Sequence, residues 1–116
     1  MTPLEERKRN TRLENLGRAN RVRLERSNWK QVVSELPERD AYNALIHLVE
    51  QIPDWALTWK LSEAMRPING LGRVRVHYFF VDQGLAPEVR IGSLTERQKN
   101  LVTTWARGRR DRKRWG

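Results

Sequence analysis

Residues 61–84 read LSEAMRPINGLGRVRVHYFFVDQG and decide the fold, because they hold two apolar segments separated by one proline and two glycines. Proline disrupts a helix interior, so the first segment is predicted to be a helix that ends before Pro67. Residues 69–72 (NGLG) predict a turn. Residues 73–83 are rich in bulky apolar side chains and predict a buried helix, with Gly84 as the glycine just beyond its C-terminus.

A strand is the alternative for the second segment, since Val74, Val76 and Tyr78 alternate with polar residues. No other part of the chain offers a partner strand, and we therefore favour the helix. The helix before Pro67 is predicted to begin at Pro53 and Asp54.

Helix signals also dominate the N-terminal third of the chain. Thr2-Pro3-Leu4-Glu5 combines a capping threonine, a proline at the first helical position and a glutamate three residues after the cap. This signal predicts a long helix that reaches about Leu36 and ends at Pro37. Its first half is predicted to be solvated, because apolar residues are sparse there. Spacings of three and four between apolar residues predict a further helix over about 40–51.

The C-terminal part carries a second start signal, Ser93 followed three residues later by Glu96. A last helix is predicted from there to about Ala106. Residues 107–116 (RGRRDRKRWG) have no apolar periodicity and predict a disordered basic tail. The chain is thus predicted to be all-α, with a long basic N-terminal helix (1–35), a helical core (36–106) and the tail (107–116).

Charge is the strongest global signal, with 23 Lys and Arg against 14 Asp and Glu, a net charge of +9. Residues 1–35 hold nine basic and five acidic groups, and residues 101–116 hold six and one. Residues 36–66 are instead net acidic, with three basic and five acidic groups. Basic segments on both sides of an acidic middle indicate a polyanionic partner. Solubility is the alternative explanation of such charge.

Several classes of protein are disfavoured. No run of about 18 apolar residues exists, so no membrane span is predicted, and no secretory signal is seen. Without cysteine, and with only His47 and His77 as imidazoles, a transition-metal site is not expected. Lys60 and Asp82 can be nominated for lyase chemistry, but a base-flipping pocket is hard to fit into 116 residues, so we predict no enzyme.

The glycine turn, residues 69–72, is the candidate binding site. Glycine permits positive φ or close approach of another molecule, and Gly72 lies at a predicted helix start, where unpaired N–H groups and the positive end of the helix dipole coincide. Leu71 between the glycines can anchor the turn, with Arg73 and Arg75 beside it. This pattern predicts contact with a nucleic-acid phosphate rather than with base edges. A plain turn between two helices is the alternative.

Three blocks carry a resemblance to a known family: RANRVR at 18–23, PINGLGRVR at 67–75 and LAPEVRIGSLTERQKNL at 85–101. With these blocks the chain resembles the actinobacterial (mycobacterial-type) integration host factor family. The resemblance implies an S13-like helix–two-turns–helix domain with a long N-terminal helix and with turns at 67–72 and 84–92. It also implies a cytoplasmic, nucleoid-associated protein that binds double-stranded DNA through the phosphate backbone with low sequence specificity. Such proteins bend or compact DNA or assist site-specific recombination, which makes a recombinase a further partner.

The resemblance also implies site residues. The family's turn glycines and the basic positions after them correspond to Gly70, Gly72, Arg73 and Arg75, and its arginine-rich second turn corresponds to Arg90. Family members commonly have more than one arginine in that second turn, where this chain has Val89 and Gly92. The full set of predicted nucleic-acid-binding residues is Arg18, Arg21, Asn69, Gly70, Leu71, Gly72, Arg73, Arg75, Arg90 and Arg97.

Some roles stay open at this stage. Arg97 either contacts DNA or fixes the second turn, and a solvated helix face explains Arg18, Arg21 and Lys30 nearly as well as a DNA-binding ridge. The S13-like fold also binds ribosomal RNA, so RNA binding is the alternative function. A basic partner protein that binds no nucleic acid is a third. We expect a monomer, because no heptad pattern is visible.

Overall fold

A computed structural model describes the backbone of residues 3–112 and the side chains of residues 11–112. Two single-turn 3-10 helices, Asp54–Ala56 and Ile91–Ser93, accompany five α-helices. The α-helices are α1 (Pro3–Glu35), α2 (Glu38–Glu50), α3 (Leu61–Met65), α4 (Gly72–Gln83) and α5 (Glu96–Arg110). No strand occurs among residues 3–112, so the all-α prediction is confirmed. The capping role predicted for Thr2 lies outside the described residues.

The core forms around α2, whose apolar residues recur at spacings of three and four as predicted. Six of its side chains are buried: Ala41, Tyr42, Leu45, Ile46, Leu48 and Val49. Helix α5 packs along α2, and the end of α1 closes the core with the buried Val33. Trp59 is fully buried, and Trp29 and Trp55 pack against it with ring centroids 5.6 and 6.1 Å away. These three tryptophans therefore form part of the core or pack directly against it.

The first part of α1 projects from this core. All residues from 11 to 20 are exposed, which agrees with the predicted solvated first half of the helix. Near the core, the Arg26 Nε donates to the carbonyl oxygen of Trp55 at 2.9 Å, and Nη2 donates to Thr58 at 2.9 Å. These bonds fix the docked end of α1. The described chain is consequently elongated, with extents of 70 × 29 × 24 Å.

The single helix predicted from Asp54 to Arg66 is wrong. The chain forms a 3-10 turn, then an extended stretch around Lys60, and only then the short α3. No helix continues through residues 57–60, and backbone hydrogen bonds join residues 57–61 to residues 89–92. Leu57 and Trp59 accept from the N–H groups of Gly92 and Ile91, both at 2.9 Å, and Leu61 N–H donates to Val89 at 3.1 Å.

The predicted start of the last helix is also wrong. Ser93 lies in the 3-10 turn, and Thr95 is the capping residue of α5. Its hydroxyl accepts from the backbone N–H of Gln98 at 3.1 Å, while the Gln98 side chain accepts from the backbone N–H of Thr95 at 2.9 Å. This reciprocal pair satisfies two N–H groups that Ser93 and Glu96 do not.

The disordered tail predicted for 107–116 is wrong over its first four residues, because α5 continues to Arg110. Arg107 pairs with Glu50 of α2, and Arg109 donates from Nε to the Tyr42 hydroxyl at 2.7 Å. Arg110 donates to the Asn43 side chain at 2.9 Å. These contacts dock the last turn of α5 on α2. Residues 113–116 lie outside the described residues.

Helix α4 is confirmed as a helix, and Gly84 follows it in the left-handed conformation, with φ +67°. The prediction that it is buried holds for one face only. Val76, Phe79 and Phe80 are buried, whereas Val74, Tyr78 and Val81 are more than half exposed. Within residues 3–112, no helix is long and apolar enough to cross a bilayer.

Candidate nucleic-acid interface

The glycine turn joins α3 to α4 through two left-handed residues. Gly70 has φ +82° and Gly72 has φ +61°, and within the described chain only these two and Gly84 have positive φ. Leu71 between them is buried, at 2% exposure, and belongs to the hydrophobic core. The predicted anchoring role of Leu71 is therefore confirmed, and its side chain is not available to a ligand.

Asn69 holds the turn against the end of α1. Its side-chain amide donates to the carbonyl oxygens of Ser34 and Leu36, at 3.1 and 3.2 Å. Those carbonyls belong to the C-terminal end of α1, where intrahelical partners run out. The Asn69 side chain thus has a positioning role within the fold, and its contact with nucleic acid stays a prediction.

Arg75 turns back toward the glycine turn. Its Nη1 donates to the carbonyl oxygen of Gly70 at 2.9 Å. A side chain in the first part of α4 thus stabilises the glycine turn. On the same side lies Glu38, with its carboxylate 3.8 Å from where a Cβ on Gly70 would be. The Arg109 guanidinium stands 4.0 Å from Glu38. The Gly70 side is therefore occupied by charged groups of the protein itself.

The Gly72 side of the turn is open. No heavy atom lies within 4 Å of where a Cβ on Gly72 would be, beyond its own neighbours in the chain. No side chain caps the first turn of α4, and Arg73 beside it is exposed. Uncapped N–H groups, the positive end of a 12-residue helix and an exposed arginine coincide here. This surface can accept an anionic oxygen without displacing any side chain.

Arg18 and Arg21 are exposed on α1, but the fold does not bring them to the glycine turn. The turn is tied to Ser34, which is 16 residues from Arg18 and 13 from Arg21 along the same helix. At 1.5 Å per residue these separations are about 24 and 20 Å. Lys30 lies on another side of α1, with its Nζ 6.0 Å from the centre of the Trp59 ring. The three residues do not form one ridge.

Arg90 is engaged within the fold. Its Nη1 donates to the carbonyl oxygen of Thr58, next to the bridge between Lys60 and Arg90. The neighbouring Gly92 is required by packing, because a Cβ there would lie 2.6 Å from the Leu57 carbonyl oxygen. This close approach leaves no room for a second arginine at that position. The predicted binding role of Arg90 therefore competes with a structural one.

Arg97 is exposed at the start of α5 and lines an open groove. The groove has a volume of about 630 Å³ and is formed by Gln83, Arg97, Asn100, Leu101, Thr104 and Trp105. Its walls come from the end of α4 and from α5, whereas the glycine turn lies at the opposite end of α4. Arg97 and the glycine turn are thus separate surfaces.

Sequence reasoning missed the cluster around Tyr42. Arg109 lies over the rings of Tyr42 and Trp105, at 5.7 and 5.5 Å from their centres. Burial raises the pKa of the Tyr42 hydroxyl, an effect that the hydrogen bond from Arg109 opposes. The sequence does contain a signal for this contact: Val102, Ala106 and Arg109 recur at spacings of four and three, which places Arg109 on the buried face of α5.

Among the described residues, no three His, Cys, Asp or Glu side chains are grouped so that they could hold a metal ion.

Comparisons with protein-family models, with curated proteins and with solved structures found no match to this chain.

Proposed function

We propose that this protein binds double-stranded DNA through the phosphate backbone, with low sequence specificity and without catalysis. The observation that carries the proposal is the open Gly72 side of the glycine turn. The turn has two positive-φ glycines with the buried Leu71 between them. The first N–H groups of α4 have no side-chain cap, and the adjacent Arg73 is exposed. Backbone amides at a helix N-terminus are a common phosphate-binding arrangement.

The charge of the chain supports the same proposal. A net charge of +9 attracts a polyanion from a distance, and contacts to phosphates release counterions from DNA. Arg18 and Arg21 supply a second basic surface about 20–24 Å from the turn, along the projecting helix. A duplex that contacts both surfaces must follow this elongated molecule. The resemblance to the integration host factor family further suggests an S13-like helix–two-turns–helix domain, a place in the nucleoid and a role in DNA bending, compaction or recombination.

The sharpest test exploits two glycines at opposite ends of α4. Gly72→Glu places a carboxylate at the proposed phosphate site. Gly84→Glu is the matched control, because Gly84 also has positive φ, at +67°, and equally open space around its Cβ position. Both variants carry the same charge change and similar backbone strain. Fluorescence anisotropy with duplex DNA should show a large loss of affinity for Gly72→Glu and a small one for Gly84→Glu.

The arginines are tested separately by the salt dependence of binding. With about five to eight phosphates engaged, the slope of log K against log salt should be roughly −4 to −7 for the parent. Arg73→Ala, Arg18→Ala and Arg21→Ala should each reduce the slope by about one if that arginine contacts a phosphate. Arg39→Ala on α2 removes an exposed positive charge outside these surfaces and serves as the control.

Three results would contradict the proposal. If Gly72→Glu and Gly84→Glu are folded by circular dichroism and bind DNA equally well, the glycine turn is only a connection between helices. If the parent binds duplex RNA more tightly than duplex DNA of the same sequence at both low and physiological salt, the partner is RNA. A slope near zero would exclude phosphate contacts altogether.

A further inference from the structure

The outer face of α4 carries an apolar stripe that the fold leaves uncovered. Val74, Tyr78 and Val81 are 66, 60 and 61% exposed, and they follow one another at spacings of four and three. At 100° per residue they point within about 60° of one another, on the side opposite the buried Val76, Phe79 and Phe80. We call these three residues the α4 stripe. It is a helix face of the kind that packs against a partner helix.

We propose that the α4 stripe binds a second copy of the chain, with the two α4 helices antiparallel and a two-fold axis at Tyr78. An isologous contact requires a face that is complementary to itself. With the axis at Tyr78, Val74 lies opposite Val81 of the second copy to within about 1.5 Å along the helix. The two Tyr78 side chains then meet at the axis.

Charge complementarity selects the antiparallel direction. Arg75 and Asp82 are both exposed and lie seven residues apart, so they flank the α4 stripe on the same side. The hydrogen bond from Arg75 to Gly70 uses one of the five N–H groups of its guanidinium, so the others can bond to a carboxylate. In the antiparallel pair, Arg75 of each copy faces Asp82 of the other, again to within about 1.5 Å. In a parallel pair related by a two-fold axis, Arg75 of one copy and Asp82 of the other lie on opposite sides of the contact and about 10 Å apart along the helices, so they cannot pair. Antiparallel helices also bring each positive helix end next to a negative one.

The contact area sets the strength of this pairing. Three side chains on a 12-residue helix cover much less than the ~800 Å² per partner that a standard interface buries. Each copy also carries a net charge of +9, which opposes association at low salt. We therefore expect weak pairing, with Kd on the order of 0.1–1 mM, that strengthens as salt screens the net charge.

The register can be tested by cross-linking, because the chain contains no cysteine. Tyr78→Cys should form a disulfide dimer under mild oxidation at high protein concentration. Val74→Cys and Val81→Cys should each fail to link to themselves, because the two copies of each position are about 12 and 9 Å apart along the axis. A disulfide cannot bridge Cα atoms more than about 7 Å apart. An equimolar mixture of the two variants should link.

Leu57→Cys controls for random collisions, because Leu57 is an exposed apolar residue outside α4, at 45% exposure. Asp82→Lys added to the mixed pair should reduce the dimer yield several-fold, whereas Glu88→Lys, an exposed acid in the following loop, should not.

If the Val74→Cys and Val81→Cys mixture links no more than Leu57→Cys, the proposal is overturned. If each variant links to itself as readily as to the other, the helices are not antiparallel. The cross-linking experiments contain no DNA, so a negative result in them does not bear on the proposed DNA binding.

Discussion

Arg109→Ala is expected to lower the thermal stability of the protein substantially, although Arg109 lies in the segment whose sequence predicts disorder. The Nε of Arg109 donates to the Tyr42 hydroxyl at 2.7 Å, and its side chain is 21% exposed. A hydrogen bond with a charged donor contributes about 1.5–3 kcal/mol, and contact with aromatic rings at a partly exposed site adds about 0.5–1 kcal/mol. The two overlap, so we expect a loss of about 2–3 kcal/mol.

For a chain of this length a loss of that size lowers Tm by roughly 10 °C. Differential scanning calorimetry of Arg109→Ala, Tyr42→Phe and the double variant separates the hydrogen bond from the ring contacts, because Tyr42→Phe removes the hydroxyl alone. The two substitutions should be less than additive by about 1–2 kcal/mol. Arg112→Ala, an exposed arginine just beyond α5, is the control. If Arg109→Ala melts within about 1 °C of the parent, the last turn of α5 is not docked in solution.

Three further outcomes are expected. Deletion of residues 107–116 should lower Tm at least as much as Arg109→Ala, because it removes the contacts to both Glu50 and Tyr42; an unchanged Tm would show a free tail. Burial raises the pKa of Tyr42 in the folded state, so its contribution to the free energy of unfolding should be constant below about pH 10 and should fall as pH rises further. Chemical denaturation at several pH values should show a smaller decrease in this free energy for Tyr42→Phe. Gly92→Ala should cost about 1–3 kcal/mol in urea unfolding, since the new Cβ would meet the Leu57 carbonyl; Gly108→Ala, in open space, should stabilise or leave stability unchanged.

The glycine turn and its flanking helix could be predicted because their signals are local. Pro67, Gly70, Gly72 and Gly84 each mark a backbone requirement that neighbouring residues do not alter, and α4 with its left-handed C-terminal glycine follows from them. The same holds for α2, where apolar spacing alone defines the buried face. The openness of the Gly72 side is not a local property, because it depends on which groups pack around the turn.

The errors have a common cause in contacts between distant residues. The helix predicted from Asp54 is interrupted because residues 57–61 bond to a loop some 30 residues later in the chain. The end of α5 forms because Arg109 donates to Tyr42 and Arg110 donates to Asn43. Each partner lies 67 residues earlier in the chain. Asn69 was predicted to bind nucleic acid as part of the glycine turn, and Arg90 through the family resemblance. Each also donates to a backbone carbonyl of a distant segment, a contact that its sequence position does not reveal. Polarity alone does not reveal which partner a side chain has.

The projecting helix has a consequence for how the protein unfolds. Residues 11–20 of α1 make the helix longer without adding to the core, so core packing does not stabilise their conformation. The described tryptophans, in contrast, all pack on the core, with Trp29 the first of them along the chain. Heating should therefore reduce the far-ultraviolet circular dichroism gradually, well before the tryptophan fluorescence changes in one cooperative step. The loss of circular dichroism that precedes the fluorescence transition measures how much of the helix behaves as an isolated peptide.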